Sequence, residues 1–164
     1  MIHIRQAVED DLAQIQSIYA FHVLHGTGSF ETIPPSLEEM SIRFQSNQEA
    51  GFAWVVAEAE GRVSGFGYYS HFRDRPAYEH TVEDSVYVRD DVIGQGVGKA
   101  IVAALLQAAT NAGFKQMLSL IGDSENTASV GVHSSMGFQP VGVMRKVGFK
   151  FDRWLDVVIM QKPL

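Results

Sequence analysis

The segment that most narrows the fold is Val86-Tyr87-Val88-Arg89-Asp90-Asp91-Val92-Ile93-Gly94-Gln95-Gly96-Val97-Gly98-Lys99. A β-branched and aromatic strand runs into three alternating glycines, and a helical pattern starts at once, with Ile101, Leu105 and Ala108 on one face. Glycine reaches left-handed backbone angles and lets a ligand approach the amides closely. The first turn of a helix has four N–H groups without partners and a partial positive charge. Such a turn suits a phosphate or pyrophosphate, with Lys99 adding a point charge. The competing reading is a tight turn with no ligand, in which the glycines' unfolded-state entropy is lost for no gain.

Two common phosphate motifs do not fit. A P-loop needs a glycine five residues before Gly98 and a hydroxyl after Lys99, and this chain has Ile93 and Ala100 there. A dinucleotide fingerprint accepts Gly94 and Gly96 but meets Lys99 at its third glycine, and the strand lies past mid-chain rather than opening a Rossmann half.

The rest of the chain reads as one mixed α/β domain over residues 1–164, without repeats or linkers. Ile2 and Ile4 begin a strand, and Asp10 or Asp11 is placed to cap a helix carrying Leu12, Ile15, Ile18 and Tyr19. His25-Gly26-Thr27-Gly28-Ser29-Phe30 is either a mobile flap or a plain connector. Ser36 and Glu39 form a capping box for a second helix. Phe52–Glu58 and Val63–Ser70 make a hairpin across Glu60-Gly61, and Thr81–Arg89 is another strand. A helix from Gly98 to Ala112 ends at Gly113, a buried strand covers 117–121, and a short helix over 126–136 ends at Gly137. Two strands, near 138–147 and 154–160, close the chain. The unit 81–121 predicts a parallel pair with a right-handed crossover.

Composition removes several classes of function. The 164 residues carry a net charge of −6 and no basic stripe, which disfavours a nucleic-acid platform. There is no cysteine, so thiolate metal sites, disulfides and a cysteine nucleophile are excluded. His22/His25 and His71/His80 offer no third ligand on a shared face, so no metal is expected. The first residues lack an apolar signal region and no run approaches a membrane span, so a cytoplasmic location is expected.

With these residues in view, Gly94-Gln95-Gly96-Val97-Gly98-Lys99 after Val86-Tyr87-Val88 resembles the acetyl-coenzyme A pyrophosphate loop of the GNAT N-acetyltransferases. Asn126-Thr127-Ala128-Ser129 through Met136-Gly137-Phe138 resembles that family's late helix. The resemblance covers essentially the whole chain. It sharpens to the phosphinothricin and methionine sulfone/sulfoximine acetyltransferase branch through Phe72–Tyr78, Thr81–Val88, Val132-His133, Gly148-Phe149-Lys150 and Trp154-Leu155-Asp156. One departure is Ile93, where the wider family often has Gln or Arg.

The resemblance implies a twisted mixed sheet flanked by helices and splayed to admit acetyl-CoA. It also implies direct attack by the amine of a small amino-acid analogue in a ternary complex. Cofactor contacts are expected from Val86, Tyr87, Val88, Gly94, Gln95, Gly96, Val97, Gly98, Lys99, Asn126 and Ser135. The Val88 N–H is the expected oxyanion donor, and Glu83 the general base acting through water. His133 takes the place of a proton-donating tyrosine. Asp84 faces away from Glu83 and is expected to play no part. For the acceptor, Arg73 and Arg75 are expected to share a face of an extended segment and to fork onto carboxylate or phosphinate. Tyr78 is expected beside them, with Phe30 and Phe72 walling the pocket. Each of these also has a plain structural reading as packing, capping or solvated surface. Relatives are homodimers, and the strand with Trp154, Val157, Val158 and Ile159 serves either a dimer interface or the monomer core. Two further functions stay open: a GNAT enzyme acting on a protein N-terminus or polyamine, and a non-catalytic acyl-CoA-binding module.

Overall fold

The computed structural model describes residues 1–164. Seven strands form one sheet: β1 (His3–Gln6), β2 (Trp54–Ala59), β3 (Arg62–His71), β4 (Thr81–Val88), β5 (Gln116–Gly122), β6 (Gln139–Lys150) and β7 (Arg153–Pro163). Their order is β1-β2-β3-β4-β5-β7-β6. The helices are α1 (Leu12–His25), α2 (Leu37–Glu49), α3 (Val97–Asn111) and α4 (Thr127–Ser135). Every pairing is antiparallel except β4 with β5.

Alternation along the strands sends side chains into two cores, one on each face of the sheet. Trp54, Val56 and Phe66 pack with Ile15, Ile18, Met40 and Phe44 of α1 and α2. Val55, Ala57, Tyr69 and Val82 pack with Ile101, Val102 and Leu105 of α3. Helix α3 sits so close to β3 that a Cβ at Gly67 would stand 2.5 Å from Ile101 and 3.1 Å from Leu105. Glycine there lets the helix press onto the strand beside β4.

Most local signals formed as read. The turn Glu60-Gly61 closes β2 and β3 with both residues at positive φ. At the start of α2, the Glu39 N–H donates to Ser36 Oγ (3.1 Å) and the Ser36 N–H to Glu39 Oε2 (2.8 Å). Ser36→Ala should lower stability by about 1 kcal/mol, read as a shift in urea midpoint at unchanged slope.

Asp11 behaves differently. It stands at the N-cap position of α1 but makes no capping bond there. Arg5 takes both its oxygens, at 2.7 and 2.8 Å, and the Val8 N–H donates to it at 2.9 Å. A buried carboxylate offered a bidentate arginine makes the stronger, charge-assisted bonds. The last hairpin is also longer than read, reaching Lys150 and Pro163, and turns at Phe151-Asp152.

The feature that positions the site is a fork. β4 and β5 pair only through Thr81–Gln116, Val82–Met117 and Glu83–Leu118. Beyond Glu83 and Leu118 the strands part. On its other edge β4 stays bonded to β3, with the Phe72 N–H on the Thr81 carbonyl and the Arg89 N–H on the Ser64 carbonyl. Antiparallel ladders alternate. The peptide groups of Asp84, Val86 and Val88 therefore turn away from β3, into the fork.

Candidate active site

The fork opens into a cavity of about 870 Å³, bounded by β4, β5, the start of α3 and the inner side of α4. Its outer end is the glycine turn. Gly94 and Gly96 have φ of +82° and +86°, which L side chains rarely adopt. Gly96 is the N-cap of α3, and no side chain caps that helix. The N–H groups of Val97, Gly98 and Lys99 therefore face the cavity as an open anion cradle, reinforced by the helix dipole and Lys99. Here an acidic chain holds a local positive end. Exposed Ile93 also lines this end and adds no polar group.

Along the side walls, Val86, Tyr87 and Val88 come from β4, and Asn126 and Ser135 from α4. Asn126 caps α4, accepting the Ser129 N–H at 3.3 Å. The Ser135 hydroxyl donates to the Val132 carbonyl at 2.7 Å. Gln95 does not face the cavity, and its N–H donates to the Val92 carbonyl at 3.3 Å. Sequence reasoning missed His22, which donates from Nε2 to the Val88 carbonyl at 2.7 Å and so occupies one of the outward peptide groups.

At the inner end, Glu83 and Asp84 lie on opposite faces of β4, and both reach the cavity because it passes through the sheet. Burial pushes the Glu83 carboxyl above its ordinary range; Arg73 opposes the shift and Asp84 adds to it. Asp84 is not a surface carboxylate. It is 5% exposed and bonds His133 Nε2 at 2.8 Å. Its partner lies 49 residues along the chain, beyond the reach of a local pattern. His133 is buried, its Nδ1 on the Ser129 carbonyl at 2.8 Å and its Nε2 also 3.0 Å from Ser119 Oγ. Burial alone would disfavour the charged ring, but the Asp84 carboxylate outweighs it and holds His133 above its ordinary value.

The acceptor residues are arranged less simply. Phe30, Phe72, Arg73, Arg75 and Tyr78 all stand outside the cavity lining. Segment 72–78 is a bend and a short 3₁₀ turn over Pro76–Tyr78, so strand alternation does not put Arg73 and Arg75 on one face. The Arg73 guanidinium lies 4.2 Å from the Phe72 ring centroid, and Phe72 meets Tyr78 edge-on at 5.6 Å. Arg75 is exposed. Phe30 packs where a Cβ at Gly122 or Gly148 would collide with its ring. The loop before it is tied down by the buried Lys150, whose Nζ donates to the carbonyls of Gly26 (2.8 Å) and Ser29 (2.7 Å). The cavity instead receives Thr27, Gly28, Asp123 and Arg153, with Arg153 bonded to Asp123 at 2.9 Å.

An open amide cradle, a strand with outward peptide groups and a half-buried carboxylate with raised pKa suit acyl transfer from a phosphate-bearing carrier. Comparison with known proteins agrees. Residues 4–159 match the model of the acetyltransferase (GNAT) domain. The chain is 46% identical to a phosphinothricin N-acetyltransferase from Alcaligenes faecalis over 98% of this chain and 82% of that protein. It is 38% identical to an L-methionine sulfoximine/L-methionine sulfone acetyltransferase from Pseudomonas aeruginosa, over 98% and 94%. A crystal structure of a GNAT superfamily phosphinothricin acetyltransferase from Sinorhizobium meliloti in complex with AcCoA superposes with a TM-score of 0.96 at 41% identity, covering 99% of this chain and 88% of that one. No helix is long and apolar enough to cross a membrane. The chain belongs to the GNAT superfamily and is an acetyl-CoA-dependent N-acetyltransferase.

Proposed function

We propose that this enzyme acetylates the α-amino group of a small amino-acid analogue, such as phosphinothricin, methionine sulfone or methionine sulfoximine. The amine attacks directly in a ternary complex, and the product is a detoxified amino acid in the cytoplasm. The observation that carries this reading is that Glu83 and the anion cradle share one cavity, in a chain with no cysteine to take the acyl group. Acetyl-CoA supplies an activated acetyl group and a diphosphate handle.

The residues divide the work along the fork. The free amides of Val97, Gly98 and Lys99 bind the diphosphate end, with Gly94 and Gly96 shaping the turn; Gln95 takes no part, since its N–H is held by the Val92 carbonyl and its side chain stands off the cavity. The outward N–H of Val88 holds the carbonyl oxygen as charge builds on it, a well-placed donor contributing roughly 2.7–4 kcal/mol, and the peptide of Val86 faces the carrier's arm. Asn126 and Ser135 lie beside the carrier's arm. Glu83 takes the amine proton through water, its raised pKa matching it to that task. His133 holds the proton due to the leaving thiolate.

Arg73 stands at the rim, close enough to Glu83 to favour its charged form. An acceptor whose amine faces Glu83 can thus turn its carboxylate or oxidised head to Arg73, with the exposed Arg75 and Tyr78 following in the same turn. Arg73→Ala and Arg75→Ala should each raise KM for amino-acid acceptors several-fold and leave acetyl-CoA affinity unchanged by calorimetry. Loss of acetyl-CoA affinity would put the acceptor site elsewhere. The decisive experiment is a thiol-release panel containing phosphinothricin, methionine sulfone, methionine sulfoximine, spermidine and a peptide. Preference for spermidine or peptide overturns the substrate class, and no turnover with any acceptor favours a binding module.

The β6–β7 hairpin supports assembly as a homodimer. Val141, Val147, Phe149 and Trp154 are 55–62% exposed on it, and the Phe149 and Trp154 rings lie 5.0 Å apart. Leu155 and Val157, by contrast, are buried within the monomer. Light scattering should give twice the chain mass, and Phe149→Glu should return it to one; a monomeric wild type removes this assignment.

A further inference from the structure

The inner end of the cavity holds a three-residue cluster. Asp84 and Ser119 are the first residues beyond the last β4–β5 pair, Glu83–Leu118. His133 reaches across from α4 to both, 2.8 Å from Asp84 Oδ2 and 3.0 Å from Ser119 Oγ. The three residues are 3–5% exposed, and all line the cavity.

With Asp84 taken as ionised, hydrogen-bond chemistry assigns the protons. A carbonyl only accepts, so His133 Nδ1 donates to Ser129. An ionised carboxylate only accepts, so His133 Nε2 donates to Asp84. The ring is then an imidazolium with no free lone pair. Ser119 cannot donate to it and shares its Nε2 proton as a second acceptor. No other protein acceptor takes the Ser119 hydroxyl proton, and Asp84 Oδ1 is buried without a partner. One open donor and one open acceptor thus remain at the apex of the fork. With both ring nitrogens occupied, His133 has no N–H of its own aimed freely into the cavity.

We propose that Ser119 relays the proton of His133 to the leaving sulfur, and that Asp84 is the positioning residue that keeps His133 charged. This deepens the role assigned to His133 above and rests on it. As the amine nitrogen bonds to the acyl carbon and the carbon–sulfur bond breaks, the sulfur takes the Ser119 hydroxyl proton. Ser119 takes the Nε2 proton of His133, leaving a neutral ring. The amine proton goes to Glu83 and on to water, and water restores the proton on His133. Protons balance over the cycle, and no other reactant is needed.

The charged group facing His133 is Asp84 from β4. Ser119 from β5, the Ser129 carbonyl of its own helix and the Phe138 ring, edge-on at 4.9 Å, complete its surroundings. Glu83 lies at the same inner end on the opposite face of β4, and His22, Lys99, Asp123, Glu125 and Arg153 also line the cavity; none of these sets the charge of His133. A raised histidine pKa gives stability that is full below the unfolded value and lost as pH rises through the folded value.

The test begins with the free protein. Ring-nitrogen NMR should show His133 still charged at a pH where exposed histidines are neutral, and Asp84→Asn should move its titration downward. A wild-type ring that is neutral at pH 7, or one unmoved by Asp84→Asn, overturns the assignment. Ser119→Ala should leave that titration and acetyl-CoA affinity intact while lowering kcat on the order of 10²-fold, within the range of general acid catalysis. Ser119→Thr, which restores a hydroxyl, should recover most of it. Asp84→Asn should also move the alkaline limb of kcat to lower pH, a change that packing loss alone does not produce. Full turnover in Ser119→Ala sinks the relay while Glu83→Gln still reports on the general base. If the wild type acetylates none of the panel, the proposed reaction fails, and the NMR titration still decides the ion pair.

Discussion

Glu83→Gln should lower kcat by roughly 10²–10⁴-fold while leaving acetyl-CoA affinity unchanged. The amide keeps the size and most hydrogen bonds of the carboxyl but cannot accept the amine proton. Affinity should hold because the diphosphate cradle sits at Gly94 to Lys99, at the other end of the cavity. Unfolding will not imitate the result. A carboxyl raised by burial binds its proton more tightly in the folded state, so stability falls as pH climbs from the unfolded to the folded pKa of Glu83. At pH 7 the neutral amide should therefore be no less stable than the wild type. The rate needs the carboxylate, so the acid limb of kcat/KM in the wild type should lie above the ordinary glutamate range and disappear in the variant. Turnover at the wild-type level would remove Glu83 from its role.

Phe66→Ala is the substitution expected to cost the most stability. Phe66 is fully buried, and its ring stacks near Trp54, Tyr68 and Tyr87 at 5.9, 6.5 and 5.4 Å. Removing it leaves a cavity between the sheet and α1, at about 3–5 kcal/mol. For a chain of this size each kcal/mol lowers Tm by about 2–4 °C, so calorimetry should show a fall of roughly 6–20 °C. The effect should also reach the site. Tyr87 rests on Phe66 from β4 and meets Tyr19 edge-on at 5.0 Å, so kcat should drop even where the protein remains folded. A stability loss under about 1 kcal/mol would mean that the neighbouring rings close the gap.

What the sequence made legible is what local chemistry decides. The glycine turn, the Ser36 capping box and the hairpin turn at Glu60-Gly61 each lie within a few residues, and each formed as read. The parallel pair at the heart of the site followed from one strand–helix–strand unit. What escaped depends on partners far apart in the chain. Asp84 was read as uninvolved because alternation gives its face but not the histidine that meets it there. Ser119 is a single hydroxyl in an apolar strand, with nothing nearby to mark it. Asp11 looked like a cap until Arg5 claimed it. The acceptor arginines were placed by strand alternation, and Pro76 starts a turn where that rule does not apply.

The short parallel ladder has a mechanical consequence. Within the sheet itself, only three residue pairs join a four-stranded leaf to a three-stranded leaf. A long carrier lying along the outward peptides of Val86 and Val88, as proposed above, would stand where β5 provides no rungs, as a removable eighth member of the sheet. An occupant bonded there would be part of the scaffold that aligns its own reaction.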